Sequence, residues 1–127
     1  MKIKLTSVMV DDQAKALKFY TEVLGFVKKT DIPAGPYRWL TVISPEGPSD
    51  VELVLEPNAN PAAKDFQKAM YDQGIPLSVF FVDSVEQEHT KLESLGVKFR
   101  MGPTQSGPVT IAILDDTCGN WIQICQV

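Results

Sequence analysis

Residues 4–10, KLTSVMV, alternate with the period of a strand, which places Thr6, Val8 and Val10 on one side and Leu5, Ser7 and Met9 on the other. The period then changes. Asp11 or Asp12 can offer a side-chain oxygen to the free N–H groups that open a helix, and Ala14, Leu17, Phe19, Tyr20, Val23 and Leu24 recur at helical spacing as far as Gly25. Glycine suits the left-handed backbone that closes many helices. Three runs rich in β-branched and aromatic residues follow, FVKKTDI, YRWLTVIS and VELVLEP, separated by PAGP and PEGPSD, which have the composition of turns. Residues 1–56 therefore predict one βαβββ module.

Residues 57–75 predict a helical linker, with Pro61 in its first turn, Phe66, Ala69 and Met70 as an apolar stripe, and Gly74 at its end. Residues 76–127 then repeat the opening pattern. LSVFFVD matches LTSVMVD, SVEQEHTKLESLGV ends on the same Leu-Gly pair, and VKFRM, VTIAILDD and NWIQICQV supply three more strands. Leu5 and Leu77 stand 72 residues apart, whereas Leu24-Gly25 and Leu95-Gly96 stand 71 apart. So small a slip inside a helix marks an internal duplication, with both modules in one domain spanning 1–127.

The two phrases FYTEVLGF, after the first strand, and Asp-x-x-Gly-Asn, from Asp116 to Asn120 before the last, sit in register with that duplication. Together they resemble the vicinal oxygen chelate superfamily, the group of glyoxalase, bleomycin-resistance and extradiol dioxygenase proteins. The resemblance covers essentially the whole chain. It implies an α+β fold of tandem βαβββ modules, a curved mixed sheet around a cavity, and a homodimer whose cavities draw on both subunits. Many members hold one divalent metal through side chains of the first and fourth strands of each half. Matched residue by residue, those positions here are Leu5, Glu52, Leu77 and Gln123. A leucine has no lone pair to donate, and one carboxylate with one amide makes a weak set for a divalent ion. The expectation is therefore no metal cofactor, with a divalent metal at Glu52 as the alternative. The one histidine, His89, falls in the second module's helix and reads as a solvated surface residue.

Strand alternation lists the rest of the face these residues share. Ser7 and Met9 join Leu5, Val79 and Phe81 join Leu77, and Trp121 and Cys125 flank Gln123. In YRWLTVIS either Trp39 with Thr41 or Arg38 with Leu40 faces the cavity, and Trp39 is the preferred choice. The candidate ligand-binding residues are thus Leu5, Ser7, Met9, Trp39, Glu52, Leu77, Val79, Phe81, Trp121 and Gln123, with Glu52 also the one candidate for a catalytic base. A mostly apolar and aromatic wall with a few polar groups suits a flat or amphipathic organic molecule.

Composition narrows the function further. The chain has 127 residues, a formal net charge of −4 and a pI near 4.9, so neither nucleic acid nor an anionic membrane is an expected partner. MKIKLTSVMVDD lacks the apolar core of a signal peptide, and no stretch is long enough for a membrane span, which points to the cytoplasm. Cys118 and Cys125 fit neither a disulfide framework nor a zinc site, and both read as reduced, Cys118 in an exposed turn. SGPVT contains a serine without a partner histidine in reach, which argues against a hydrolase. Three readings result: a small-molecule binding protein that works without metal, a metal-dependent lyase, isomerase or dioxygenase using Glu52, and a domain that mainly dimerises or binds protein.

Overall fold

A computed structural model describes residues 1–127. The chain divides into two compact units, residues 1–65 and 66–127. In the first, β1 (Leu5–Val10) leads into α1 (Gln13–Lys18), which continues as a π-helical turn over Phe19–Val23, and β2 (Val27–Ala34), β3 (Tyr37–Ile43) and β4 (Glu52–Pro57) follow. The helix α2 (Pro61–Asp72) starts in the first unit and ends in the second, where β5 (Ser78–Phe81), α3 (Val85–Ser94), β6 (Phe99–Ser106), β7 (Val109–Asp115) and β8 (Trp121–Gln126) complete the chain. The sheets have the orders β1-β4-β3-β2 and β5-β8-β7-β6, each with one parallel pair (β1 with β4, β5 with β8) and two antiparallel pairs. The predicted βαβββ duplication is present.

Local chemistry sets the same landmarks twice. Asp12 and Ser84 cap the two module helices, accepting from the N–H of Lys15 and of Gln87. Gly25 and Gly96, at φ 83° and 87°, follow those helices in the left-handed region. Each β-hairpin closes through a Gly-Pro pair, Gly35-Pro36 and Gly107-Pro108, with both glycines at φ 60° as a type II′ turn requires. SGPVT is this turn and the start of β7.

In the first unit one sheet face packs on α1: Val8, Val10, Leu40, Val42, Leu53 and Leu55 are buried, as are Ala16, Phe19 and Tyr20 of the helical segment. Ala16, not the expected Ala14, is the buried alanine. Gln13 is buried beside them. Its amide nitrogen donates to the carbonyls of Arg38 (2.7 Å) and Leu55 (2.9 Å), and its oxygen accepts from the Arg38 N–H (3.0 Å). Since β3 and β4 pair only at Thr41–Val54 and Val42–Leu53, this side chain supplies the hydrogen bonds that the diverging strands do not. In the second unit Ala112, Leu114, Ile122 and Ile124 form the buried layer with Val85 and Leu92 of α3.

Several local expectations change. His89 is half-buried rather than fully solvated; its ring packs edge-on against Phe99 with centroids 4.5 Å apart. Cys118 is fully buried and, like Cys125, forms no disulfide. On α2 the apolar stripe is not the buried face: Phe66 is exposed, and buried Gln67 donates to Cys118 O (3.1 Å) and Asn120 Oδ1 (3.0 Å). The second half of α2 falls in the second compact unit. None of the helices is long and apolar enough to cross a membrane.

Candidate functional site

Each sheet has a second face, turned away from its helix. Residues paired directly across two strands point to the same side, so the register fixes which residues share it. In the first sheet Leu5 is opposite Glu52, Ser7 opposite Val54, Met9 opposite Glu56, Thr41 opposite Val54 and Ile32 opposite Trp39. Leu5, Ser7, Met9, Trp39 and Glu52 therefore lie on one face, with Arg38 on the other. Arg38 points to the helix side and forms a two-bond pair with Asp31, at 2.9 and 2.7 Å. That guanidinium, donating to the carboxylate, lowers the Asp31 pKa to about 2.

Much of this face is apolar and open. Leu5 is 47% exposed, Ile32 55% and Trp39 39%, with the paired Ile32 and Trp39 at one end of the face and Leu5 at the other. Its polar groups are mutually engaged. Glu52 accepts from Thr41 Oγ1 (2.7 Å) and pairs with Lys29 Nζ (3.4 Å), while Ser7 Oγ donates to Glu56 Oε1 (3.0 Å). Lys29 reaches this face from a bulge between Lys28 and Thr30.

In the second sheet Val79 is opposite Gln123, Phe81 opposite Cys125, Ile113 opposite Gln123 and Asp115 opposite Trp121. Val79, Phe81, Trp121 and Gln123 thus share one face, and Phe81 is 67% exposed. Leu77 falls just before β5, half-buried, with its N–H donating to the Trp121 carbonyl at 3.0 Å. Trp121 is already packed: Tyr71 stacks on its ring (centroids 4.6 Å, planes 7° apart), and the indole N–H donates to the Tyr71 carbonyl at 2.9 Å. The Tyr71 hydroxyl donates to Asp115 Oδ2 at 3.0 Å; burial, then this carboxylate, raises the phenol pKa. The Arg100 guanidinium carbon lies 5.4 Å from the Trp121 ring centroid. Sequence reading missed Lys29, Arg100 and Tyr71, because bulges shift strand phase and helix-to-sheet packing has no period-two signature.

The register also corrects one correspondence. The hairpin glycines are 72 residues apart, as Leu5 and Leu77 are, and Thr41 faces Val54 just as Ile113 faces Gln123. Gln123 is therefore the counterpart of Val54, and Trp121 that of Glu52. The connection before the last strand is shorter in the second unit, residues 116–120 against 44–51, which moves the repeat by three residues. The four positions expected to hold a metal thus carry Leu5, Glu52, Leu77 and Trp121. One donor side chain among four does not suit a divalent ion, and no group of three or more His, Cys, Asp or Glu is placed to hold one elsewhere.

The turn carrying Asp-x-x-Gly-Asn is held by the motif itself. Buried Asp116 accepts from the Cys118 N–H (2.8 Å), the Asn120 N–H (3.0 Å) and Asn120 Nδ2 (2.7 Å). Gly119, at φ 100°, has no room for a Cβ beside Gln67, since one would lie 2.9 Å from its amide. This motif shapes the entry to β8.

A family model described as the Glyoxalase/Bleomycin resistance protein/Dioxygenase superfamily matches residues 2–124. The chain belongs to this superfamily. Among other superfamily-like chains, YurT of Bacillus subtilis (strain 168), an uncharacterized protein, is 52% identical over 126 residues, 99% of both chains. The crystal structure of UcmS2 superposes with a TM-score of 0.85 at 30% identity, over all of this chain and 98% of that one. TnmS3, an antibiotic binding protein from Streptomyces sp. CB03234, gives a TM-score of 0.78 at 30% identity, covering 99% and 95%. The superfamily hosts several chemistries, so membership alone does not choose among them.

Proposed function

We propose that this superfamily member binds a small aromatic or amphipathic organic molecule on its open apolar sheet faces, without a divalent metal, and assembles as a homodimer in the cytoplasm. The observation that carries this reading is the open face of the first sheet, where the paired Ile32 and Trp39 at one end and Leu5 at the other expose apolar area. The likeness to the antibiotic binding protein TnmS3 supports it. In the first unit the ligand contacts are Leu5, Ser7, Met9, Trp39 and Glu52; in the second they are Leu77, Val79, Phe81, Trp121 and Gln123. Glu52 contributes the polar end of the first-sheet site, its carboxylate held by Thr41 and Lys29.

The test is a titration of planar aromatic compounds against the full chain with and without EDTA, followed by tryptophan emission, with the mass in solution measured alongside. Binding at micromolar concentrations, unaffected by EDTA, is the expected result. Binding that requires added metal, or turnover lost in Glu52→Gln, would establish a metal-dependent lyase, isomerase or dioxygenase instead.

A further inference from the structure

We propose that the open face of the second sheet selects an anionic aromatic ligand, with Arg100 as the residue that pairs with the ligand's carboxylate. The inference rests on the small-molecule reading above and assigns that ligand a charge.

The bulge in β6 determines where Arg100 goes. Phe99 is opposite Leu114 and Met101 opposite Ile113, so Arg100 is the unpaired residue between them. Its guanidinium lies over Trp121, which is on the open face. The first unit has a cation in the equivalent bulge, Lys29, but there the partner is built in: Lys29 Nζ is 3.4 Å from Glu52 Oε2 and donates to Ser49 O at 2.7 Å. The counterpart of Glu52 in the second unit is Trp121. Each bulge thus carries a cation, which meets a carboxylate in the first unit and an indole in the second.

An indole attracts a guanidinium through its ring face but accepts none of its N–H groups. Of the two arginines in the chain, Arg38 is bonded to Asp31 through two nitrogens, whereas Arg100 is exposed and forms no ion pair or side-chain hydrogen bond. Asp115, the carboxylate on the same face, is turned to the Tyr71 hydroxyl and to the Thr117 N–H (2.8 Å). The planar fork of Arg100 thus retains its capacity for a bidentate carboxylate.

The fork is also held in place. Trp121 is fixed by the Tyr71 stack and by its indole hydrogen bond, and Gly74 leaves the space the guanidinium fills: a Cβ there would lie 2.5 Å from Arg100 Cζ, Nε and Nη2. A preorganised donor gains more affinity from a partner than a mobile one. Because the net charge is −4, selection of an anion has to come from such a local contact rather than from the overall field.

Two probes of the same shape test this: 2-naphthoate and its neutral amide, 2-naphthamide, titrated calorimetrically against the full chain at pH 7. The wild type is expected to bind the carboxylate about tenfold or more tightly than the amide. Arg100→Gln should remove that preference, and Arg100→Lys should retain part of it. Equal binding of the two probes by the wild type, or a preference that survives Arg100→Gln, would show that Arg100 serves only to cover Trp121. If neither probe nor any other planar aromatic binds, the small-molecule reading falls and this inference with it. Binding of both probes alike removes this inference alone.

Discussion

Glu52 lies directly opposite Leu5 on the parallel β1–β4 pair, yet its carboxylate points the other way along the sheet, to Thr41 on β3 and Lys29 on β2. Across β1 the place beside it is hydrocarbon. Protein purified without chelators should accordingly contain no stoichiometric zinc, nickel, iron or manganese by elemental analysis. One ion per chain that disappears in Glu52→Ala would contradict this and restore the carboxylate as a ligand.

Trp39 and Trp121 should respond differently to removal. Trp39 is an open indole on an apolar face, so Trp39→Ala should weaken binding of a planar ligand by about 1 to 3 kcal/mol with little change in melting temperature. Trp121→Ala deletes the Tyr71 stack and the bond to the Tyr71 carbonyl, and should lower the melting temperature as well as affinity. Thermal melts paired with ligand titrations separate the two. A Trp39→Ala protein that binds normally would remove the first sheet from the site.

Gln13→Ala should destabilise the protein by about 1 to 3 kcal/mol in urea unfolding, because it leaves the Arg38 N–H and the Arg38 and Leu55 carbonyls short of a partner in a buried position. Gln13→Glu restores the acceptor but not the donor, and should recover only part of the loss.

The Asp31–Arg38 pair gives a pH dependence with a definite sign. Its carboxyl titrates near 3.8 when unperturbed and at about 2 in the folded chain, so the pair contributes stability above about pH 4 and loses it as the pH falls towards 2. In melts from pH 6 to pH 2, the advantage of the wild type over Asp31→Asn should be constant at the upper end and close at the lower. An advantage that persists unchanged to pH 2 would mean the pair is stabilising through shape rather than charge.

The fold was legible because the duplication writes each signal twice. One Val-Asp strand end or one Leu-Gly pair is ambiguous, but Val10-Asp11 with Val82-Asp83, and Leu24-Gly25 with Leu95-Gly96, constrain each other. Strand alternation also placed Leu5, Ser7, Met9, Trp121 and Gln123 on faces the register supports. It could not place Lys29 or Arg100, since a bulge inserts a residue without altering composition, nor could it reveal that Trp121 is the counterpart of Glu52. That correspondence depends on loop length, and counting back from the chain's last strand assumes loops of equal length. Likewise Phe66 reads as helix core by spacing, whereas the hydrogen bonds of Gln67 to the Cys118–Asn120 turn decide which side of α2 is buried.

The unequal loops before the last strands also tell an engineer where the chain will accept foreign sequence. Residues 116–120 are closed by the Asp116 carboxylate and roofed by Gln67, so an added residue there would break a buried set of bonds. The longer counterpart, residues 44–51, is exposed from Pro45 to Val51 and tied to its surroundings at its C-terminal end, by the Lys29 bond to Ser49 and the Lys4–Asp50 pair. An epitope tag or a fluorophore-bearing cysteine spliced near Gly47 would therefore ride on the surface at the rim of the first sheet, giving a reporter next to the open face without disturbing either hairpin.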